Sequence, residues 1–116
     1  MLIKRLRPGP RMSQATIHEH LIFTAGQVDK SSSDVGAQTK AILEKIESLL
    51  VEAGSDKSRI LIANIWLSDV SSFAEMNEVW ESWITPETAP ARATVGSILA
   101  GSEYKVEIAV IAAMGG

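Results

Sequence analysis

The sequence predicts an α+β sandwich, a mixed β-sheet with two helices packed on one of its faces. Three observations carry that reading. Residues 59–68, RILIANIWLS, leave almost no polar alternation, as expected of a strand that is buried on both faces. Residues 35–53 place Ile42, Ile46, Leu49, Leu50 and Ala53 on one face at three- and four-residue spacing. Residues 89–113, APARATVGSILAGSEYKVEIAVIAA, read as two apolar strands joined by a short turn.

Taken in order, residues 2–6 form a short first strand that ends in the rigid stretch Arg7-Pro8-Gly9-Pro10. Residues 13–18 and 21–27 read as two strands, and the bend His18-Glu19-His20 makes them a hairpin. Ser31, Ser32, Ser33 and Asp34 supply oxygens that can cap the first helix. Gly54 closes that helix, because glycine takes positive φ without a Cβ clash. Ser72 and Glu75 have the spacing of a capping box for the second helix. Its stripe of Phe73, Met76, Trp80, Trp83 and Ile84 faces the core. Pro86 and Pro90 stop it and lead into the final hairpin.

Composition narrows the function classes. A chain of 116 residues is one domain, spanning residues 1–116, and buries roughly two-thirds of its unfolded surface. A net charge of −3 argues against nucleic acid as a partner, since such binders carry a basic patch that displaces counterions. There is no cysteine, hence no disulfide and no thiolate chemistry. Lys4, Arg5 and Arg7 are not followed by the apolar core of a signal peptide, and no run is long enough to span a membrane. A cytoplasmic protein is the simplest expectation. His18 and His20 are too few ligands for a catalytic metal, so neither metal nor cofactor is expected.

The informative pair is Arg92 and Glu107. In a hairpin turning near Leu99 and Ala100 they fall roughly opposite each other, at about 4.5–5.5 Å between Cβ atoms. Charges beside an apolar surface cost free energy to desolvate. Two readings account for them: a structural salt bridge, or a pocket in which Arg92 holds an anion and Glu107 handles a proton.

Pro90-Ala91-Arg92, followed by Val106-Glu107-Ile108-Ala109-Val110-Ile111-Ala112, resembles the C-terminal signature of the RidA (YjgF-type) family of reactive-intermediate deaminases. Arg11-Met12-Ser13-Gln14-Ala15, Thr24-Ala25-Gly26-Gln27-Val28 and Phe73-Ala74-Glu75-Met76-Asn77 agree in order and spacing, so the resemblance spans nearly the whole chain. It implies a chorismate-mutase-like, YjgF-like sandwich that assembles as a homotrimer around a central β-barrel, with a cleft at each subunit boundary. The sequence agrees with an oligomer on its own terms, because two helices cover one sheet face and the doubly apolar strands need a second cover.

The resemblance also implies the chemistry: hydrolysis of 2-imino or enamine acids to 2-keto acids and ammonia. Arg92 would clamp the substrate carboxylate with its planar fork, and Glu107 would activate the attacking water. Ala25 and Gly26 would line the pocket, Gly26 giving access to the main chain. Asn77 matches a position near the cleft, and it reads equally well as a polar residue on a solvated helix flank. Met12 stands where many members have tyrosine, Ala25 where they often have serine, and Ala109 where they often have a second acid. These departures leave the Arg92–Glu107 pair and make the substrate less certain. A non-catalytic small-carboxylate binding module and a ribonuclease-type or translation-inhibiting protein are the alternatives.

Overall fold

The computed structural model describes residues 2–115. Six strands form one mixed sheet: β1 (Ile3–Leu6), β2 (Ala15–His18), β3 (Leu21–Thr24), β4 (Ile60–Leu67), β5 (Ala91–Gly96) and β6 (Val106–Ala113). Helix α1 (Val35–Glu52) precedes β4, and α2 (Phe73–Trp83) follows it. The spatial order is β1-β2-β3-β6-β4-β5. Every pairing is antiparallel except β4 with β5.

That order overturns the C-terminal hairpin expected from the sequence. Strands β5 and β6 do not pair; β4 lies between them, with Ala63 registered on Arg92 to one side and on Val110 to the other. The physical reason is the helix. Parallel neighbours need a crossover long enough to return the chain to the same end, and α2 supplies it between β4 and β5. Residues 97–105 then carry the chain past the end of β4 rather than around a tight turn, with Ser97 N–H donating to the Leu67 carbonyl and Ser68 N–H to that of Lys105.

Both helices pack on one face. Alternation along β4 and β6 buries Ala63, Ile65 and Leu67 with Val106, Ile108, Val110 and Ala112 against Ile42, Leu43, Ile46 and Leu50 of α1 and Met76 and Trp80 of α2. Each such Leu or Ile contributes about 1.5–3 kcal/mol on burial. Asp34 caps α1 by accepting from Ala37 N–H, and Gly54 at φ +93° ends it, with Ser55 N–H reaching back to the Leu50 carbonyl. The capping box of α2 is not formed. Ser72 makes no side-chain cap and instead donates to the Asp69 carbonyl, because the helix is entered through a 3₁₀ turn, Val70–Ser72, that Asp69 caps.

Among the described residues no helix lies on the opposite face. Leu21 and Phe23 of β3, Ala109 and Ile111 of β6, and Ile62, Asn64 and Trp66 of β4 project there, partly or largely open. Within one chain β4 is therefore buried on one face only. The two-sided burial expected of it has no intrachain cover.

One buried polar residue fixes where β6 begins. The Gln38 side chain on α1 donates to the carbonyls of Ser32 at 2.7 Å and Glu103 at 2.9 Å and accepts from Lys105 N–H at 2.9 Å. It is fully buried and well satisfied, and the Lys105 N–H it accepts lies two residues upstream of Glu107. Replacing Gln38 with Leu keeps the volume and strands those backbone groups. The expected loss is about 1–3 kcal/mol of stability, read as a lower urea midpoint at unchanged slope.

Candidate functional site

Arg92 and Glu107 are not partners within a chain. Arg92 is registered on Ala63 and Glu107 on Trp66, three residues further along β4, with the whole strand between them. Strand spacings put their Cα atoms about 14 Å apart. They also lie on opposite faces, Arg92 with buried Ala63 on the helix side and Glu107 with Trp66 on the open side. A structural salt bridge within the chain is thereby excluded. The remaining sequence-predicted residues sort into two groups around these two.

The first group surrounds Arg92. Its Nη1 donates to Asn77 Oδ1 at 2.6 Å. Its guanidinium carbon sits 5.5 Å from the centroid of Phe73 and 5.4 Å from that of Trp80. Phe73, Asn77 and Trp80 recur at i, i+4 and i+7, so one face of α2 makes this cradle. All three holders are uncharged. Aromatic faces attract the cation without neutralising it, and Asn77 occupies one of five N–H donors. Among the described residues no carboxylate pairs with Arg92, so a half-buried full charge is left over for an anion. Asn77 is thus a support for the arginine; its amide nitrogen leans on Glu81 at 3.3 Å.

Three members of this group escaped the sequence reading. The apolar stripe of α2 reads as core, and Trp80 is core, but Phe73 and Trp80 also flank the guanidinium. Thr94 follows Arg92 at i+2 on the same strand face, and its Oγ1 is buried with no hydrogen-bond partner. The signal available in the sequence was an aromatic–Asn–aromatic spacing on a helix that precedes an arginine strand.

The second group surrounds Glu107. Strand β3 leaves β6 after Phe23, and the chain rejoins it where Gln27 and Ile108 exchange backbone bonds at 2.8 and 3.1 Å. Between them Thr24 Oγ1 accepts from Val110 N–H at 3.0 Å in place of a backbone carbonyl. Ala25 and Gly26 therefore form an arch over β6. A Cβ on Gly26 would lie 2.0 Å from Glu107 Oε2 and 2.8 Å from its Cδ. Glycine leaves room here for the carboxylate to lie against the main chain, a closer neighbour than the substrate expected there. Among the described residues no cation pairs with Glu107.

The arch is tied down on both sides. Buried Gln27 donates to Gln14 Oε1 and to the Ala25 carbonyl, each at 3.1 Å. This joins the 24–28 stretch to the loop that carries Met12, which is 57% exposed and turned back by a Gly9 N–H to Met12 carbonyl bond. Beyond the arch, Lys45 on α1 donates to the Val28 carbonyl at 2.7 Å and meets Asp29 at 3.2 Å. The Ser31 hydroxyl and amide, with a smaller share from Lys45, lower the Asp29 carboxyl to about 2.

Ala25, Gly26 and Glu107 therefore form one constellation, with the Met12 loop tied to it through Gln14 and Gln27, and Asn77, Arg92 and Thr94 form another. Three cavities of the single chain, of about 350, 420 and 390 Å³, lie between α1 and α2, along the 98–104 loop and beside Met12. None of these three is lined by Arg92 or Glu107. Among the described residues no cluster of three potential metal ligands occurs, and no helix is long and apolar enough to cross a membrane.

The chain matches the family model described as Endoribonuclease L-PSP over residues 2–114. It is 42% identical over 114 residues to a RutC family protein of Haemophilus influenzae, covering 97% of this chain and 98% of that one. It is 38% identical to the RutC family protein YoaB of Escherichia coli, covering 98% and 100%. Its fold superposes on the crystal structure of a YjgF-family protein from Neisseria meningitidis with a TM-score of 0.98 at 39% identity, covering 100% and 98%.

Two outcomes follow from this geometry. Gly26→Ala should force the Glu107 carboxylate out of the arch while the fold survives, since the clashing atoms end a flexible side chain; a crystal structure of the variant beside its Tm checks both. For Asp29 the folded carboxyl binds its proton more weakly than an ordinary one near 3.8. Its stabilising contribution is complete above that value and is lost as pH falls towards about 2. The stability gap between wild type and Asp29→Asn should narrow across that window in acid unfolding.

Proposed function

The chain belongs to the YjgF/RutC family of L-PSP proteins, and on that premise we propose that it is a deaminase that hydrolyses 2-imino and enamine acids to 2-keto acids and ammonia. The observation that carries the proposal is the unpaired Arg92 guanidinium, seated by neutral Asn77 and two aromatic faces. Such a group is arranged to take a carboxylate bidentately.

The site is composite. Because Arg92 and Glu107 face opposite sides of their own sheet, the Arg92 constellation of one copy meets the Glu107 constellation of the next. The apolar helix-free face supports a homotrimer, in which the open sheets cover one another around a central barrel. Arg92 clamps the carboxylate of the substrate. Glu107 removes a proton from water as its oxygen attacks the imine carbon and the C=N pair shifts to nitrogen. Glu107 returns that proton to the nitrogen, giving the carbinolamine, then takes the carbinolamine hydroxyl proton as C=O forms and passes it to the departing nitrogen, which leaves as ammonia. An enamine substrate first takes a proton at its β-carbon. This is general acid–base work, which contributes about 10²- to 10⁴-fold.

The non-catalytic reading is favoured by Met12 and Ala25, which bring no hydroxyl donor to the Glu107 side. It requires carboxylate binding through Arg92 without turnover. A ribonuclease reading rests on the name of the matching family model; the net charge of −3 opposes it, since RNA binding draws on released counterions.

Imine-hydrolysis kinetics separate these. Arg92→Ala should lose affinity and turnover together, and Arg92→Lys should recover part of both. Glu107→Gln should lose turnover by about 10²-fold or more with carboxylate binding retained. The composite site has a sharper signature. When Arg92→Ala and Glu107→Gln chains are co-refolded in equal amounts, every mixed trimer regains one intact site, about one quarter of wild-type activity in all. A site within one chain regains nothing. A stable monomer by sedimentation at micromolar concentration would remove the composite site altogether.

A further inference from the structure

We propose that the groove between α1 and α2, which opens at the surface of the helical layer, is a second small-molecule site, built for monoanions that carry an apolar body. It shares no lining residue with the Arg92 and Glu107 constellations and stands independently of the deaminase reading.

The groove holds about 350 Å³, at the small end of the range for ligand pockets. Its apolar lining is buried Leu43 from α1 with half-buried Val79 and Trp83 from α2. Ser82 leaves the space open, because it is small and its hydroxyl turns back to donate to the Val79 carbonyl at 2.7 Å. The Trp83 ring is held on two sides. Its Nε1–H donates to Glu47 Oε1 at 3.1 Å, and Trp80 lies against it with 5.8 Å between ring centroids. A wall ordered in advance spares a ligand the cost of ordering it.

Two cations belong to this lining. Lys57 Nζ sits 5.3 Å from the Trp83 centroid. Its backbone is fixed by the 3₁₀ turn Lys57–Arg59, which Asp56 caps by accepting from Ser58 N–H at 2.8 Å. Lys40 projects from α1. Among the described residues neither lysine forms an ion pair. The indole face attracts Lys57 without neutralising it, and the Glu47 carboxylate below is engaged by the indole N–H. Of the residues that line the groove, Glu44, one turn on from Lys40, supplies the one carboxylate. Two positive charges therefore stand against one negative. A monoanion balances them, a dianion overshoots, and a neutral molecule leaves the surplus cation unanswered. The apolar body of the ligand then covers Leu43, Val79 and Trp83.

The probe is 3-phenylpropanoate, and calorimetry beside tryptophan fluorescence reads its binding. Trp83 lines the groove, but Trp80 also flanks Arg92, so the titration uses the Arg92→Ala protein, first checked for the oligomeric state of the wild type. Saturable binding of one probe per chain is expected there. 3-Phenylpropanamide has the same body without the charge, propanoate has the charge without the body, and phenylsuccinate adds a second carboxylate; each should bind about fivefold more weakly or worse. Lys57→Gln removes a rim cation and Ser82→Glu adds a rim anion. Each should weaken 3-phenylpropanoate about fivefold, and Lys57→Arg should keep the wild-type affinity. In the otherwise wild-type chain the same two substitutions should weaken one site per chain by the same factor, so the answer does not depend on the assembly of Arg92→Ala. Absence of saturable binding in assembled Arg92→Ala protein overturns the proposal. Binding indifferent to both Lys57→Gln and Ser82→Glu overturns it too, as does equal affinity for the amide.

Discussion

The position of β4 between β5 and β6 governs everything at the candidate site. Its parallel edge carries the arginine strand and its antiparallel edge the glutamate strand. Side chains in register share a face and alternate along the strand. With Arg92 on the Ala63 row and Glu107 on the Trp66 row, an odd offset sends the two charges to opposite faces. No rotamer change brings them together. The same placement spares each from neutralising the other, so a cation and an anion coexist in one small chain without forming the ion pair that would silence both.

Each charge is then held by groups that do not quench it. An aspartate in the place of Asn77 would tie up the guanidinium and make it structural; the amide orients it and leaves its charge free. Phe73 and Trp80 act in the same sense, through ring quadrupoles. On the other side, Glu107 is placed by sterics. The Gly26 main chain rests on the carboxylate, and Gln27, Gln14 and Lys45 hold the arch that sets its height. The chain uses its few buried polar side chains, Gln38 and Gln27 among them, to fix the backbone around these two positions.

The expectation of one apolar hairpin from residue 89 to residue 113 failed for an instructive reason. Both strands are apolar and close in sequence, and periodicity reports how a strand is buried, not which strand lies beside it. The helix before β5 was visible in the sequence, and its role as a crossover was the overlooked clue: a strand reached through a helix returns parallel to the strand before it. The capping box failed on a smaller scale. Its spacing was present, but Asp69 three residues earlier started a 3₁₀ turn and took the Ser72 hydroxyl for its own carbonyl.

The sequence by itself determined the α+β class, the extents of α1 and α2, the β2–β3 hairpin and the stop at Gly54, because those follow from local periodicity, caps and backbone preferences. It also marked Arg92 and Glu107, full charges amid apolar strands, and the family resemblance added Gly26 and Asn77. Tertiary structure alone decided that Asn77 grips Arg92, that Gly26 leaves room for Glu107 to lie on it, that Thr94 carries an unpartnered hydroxyl, and that the two charges face apart. Each of these depends on strand order and register, which are fixed by long-range packing against α1 and α2 and leave no trace in local spacing.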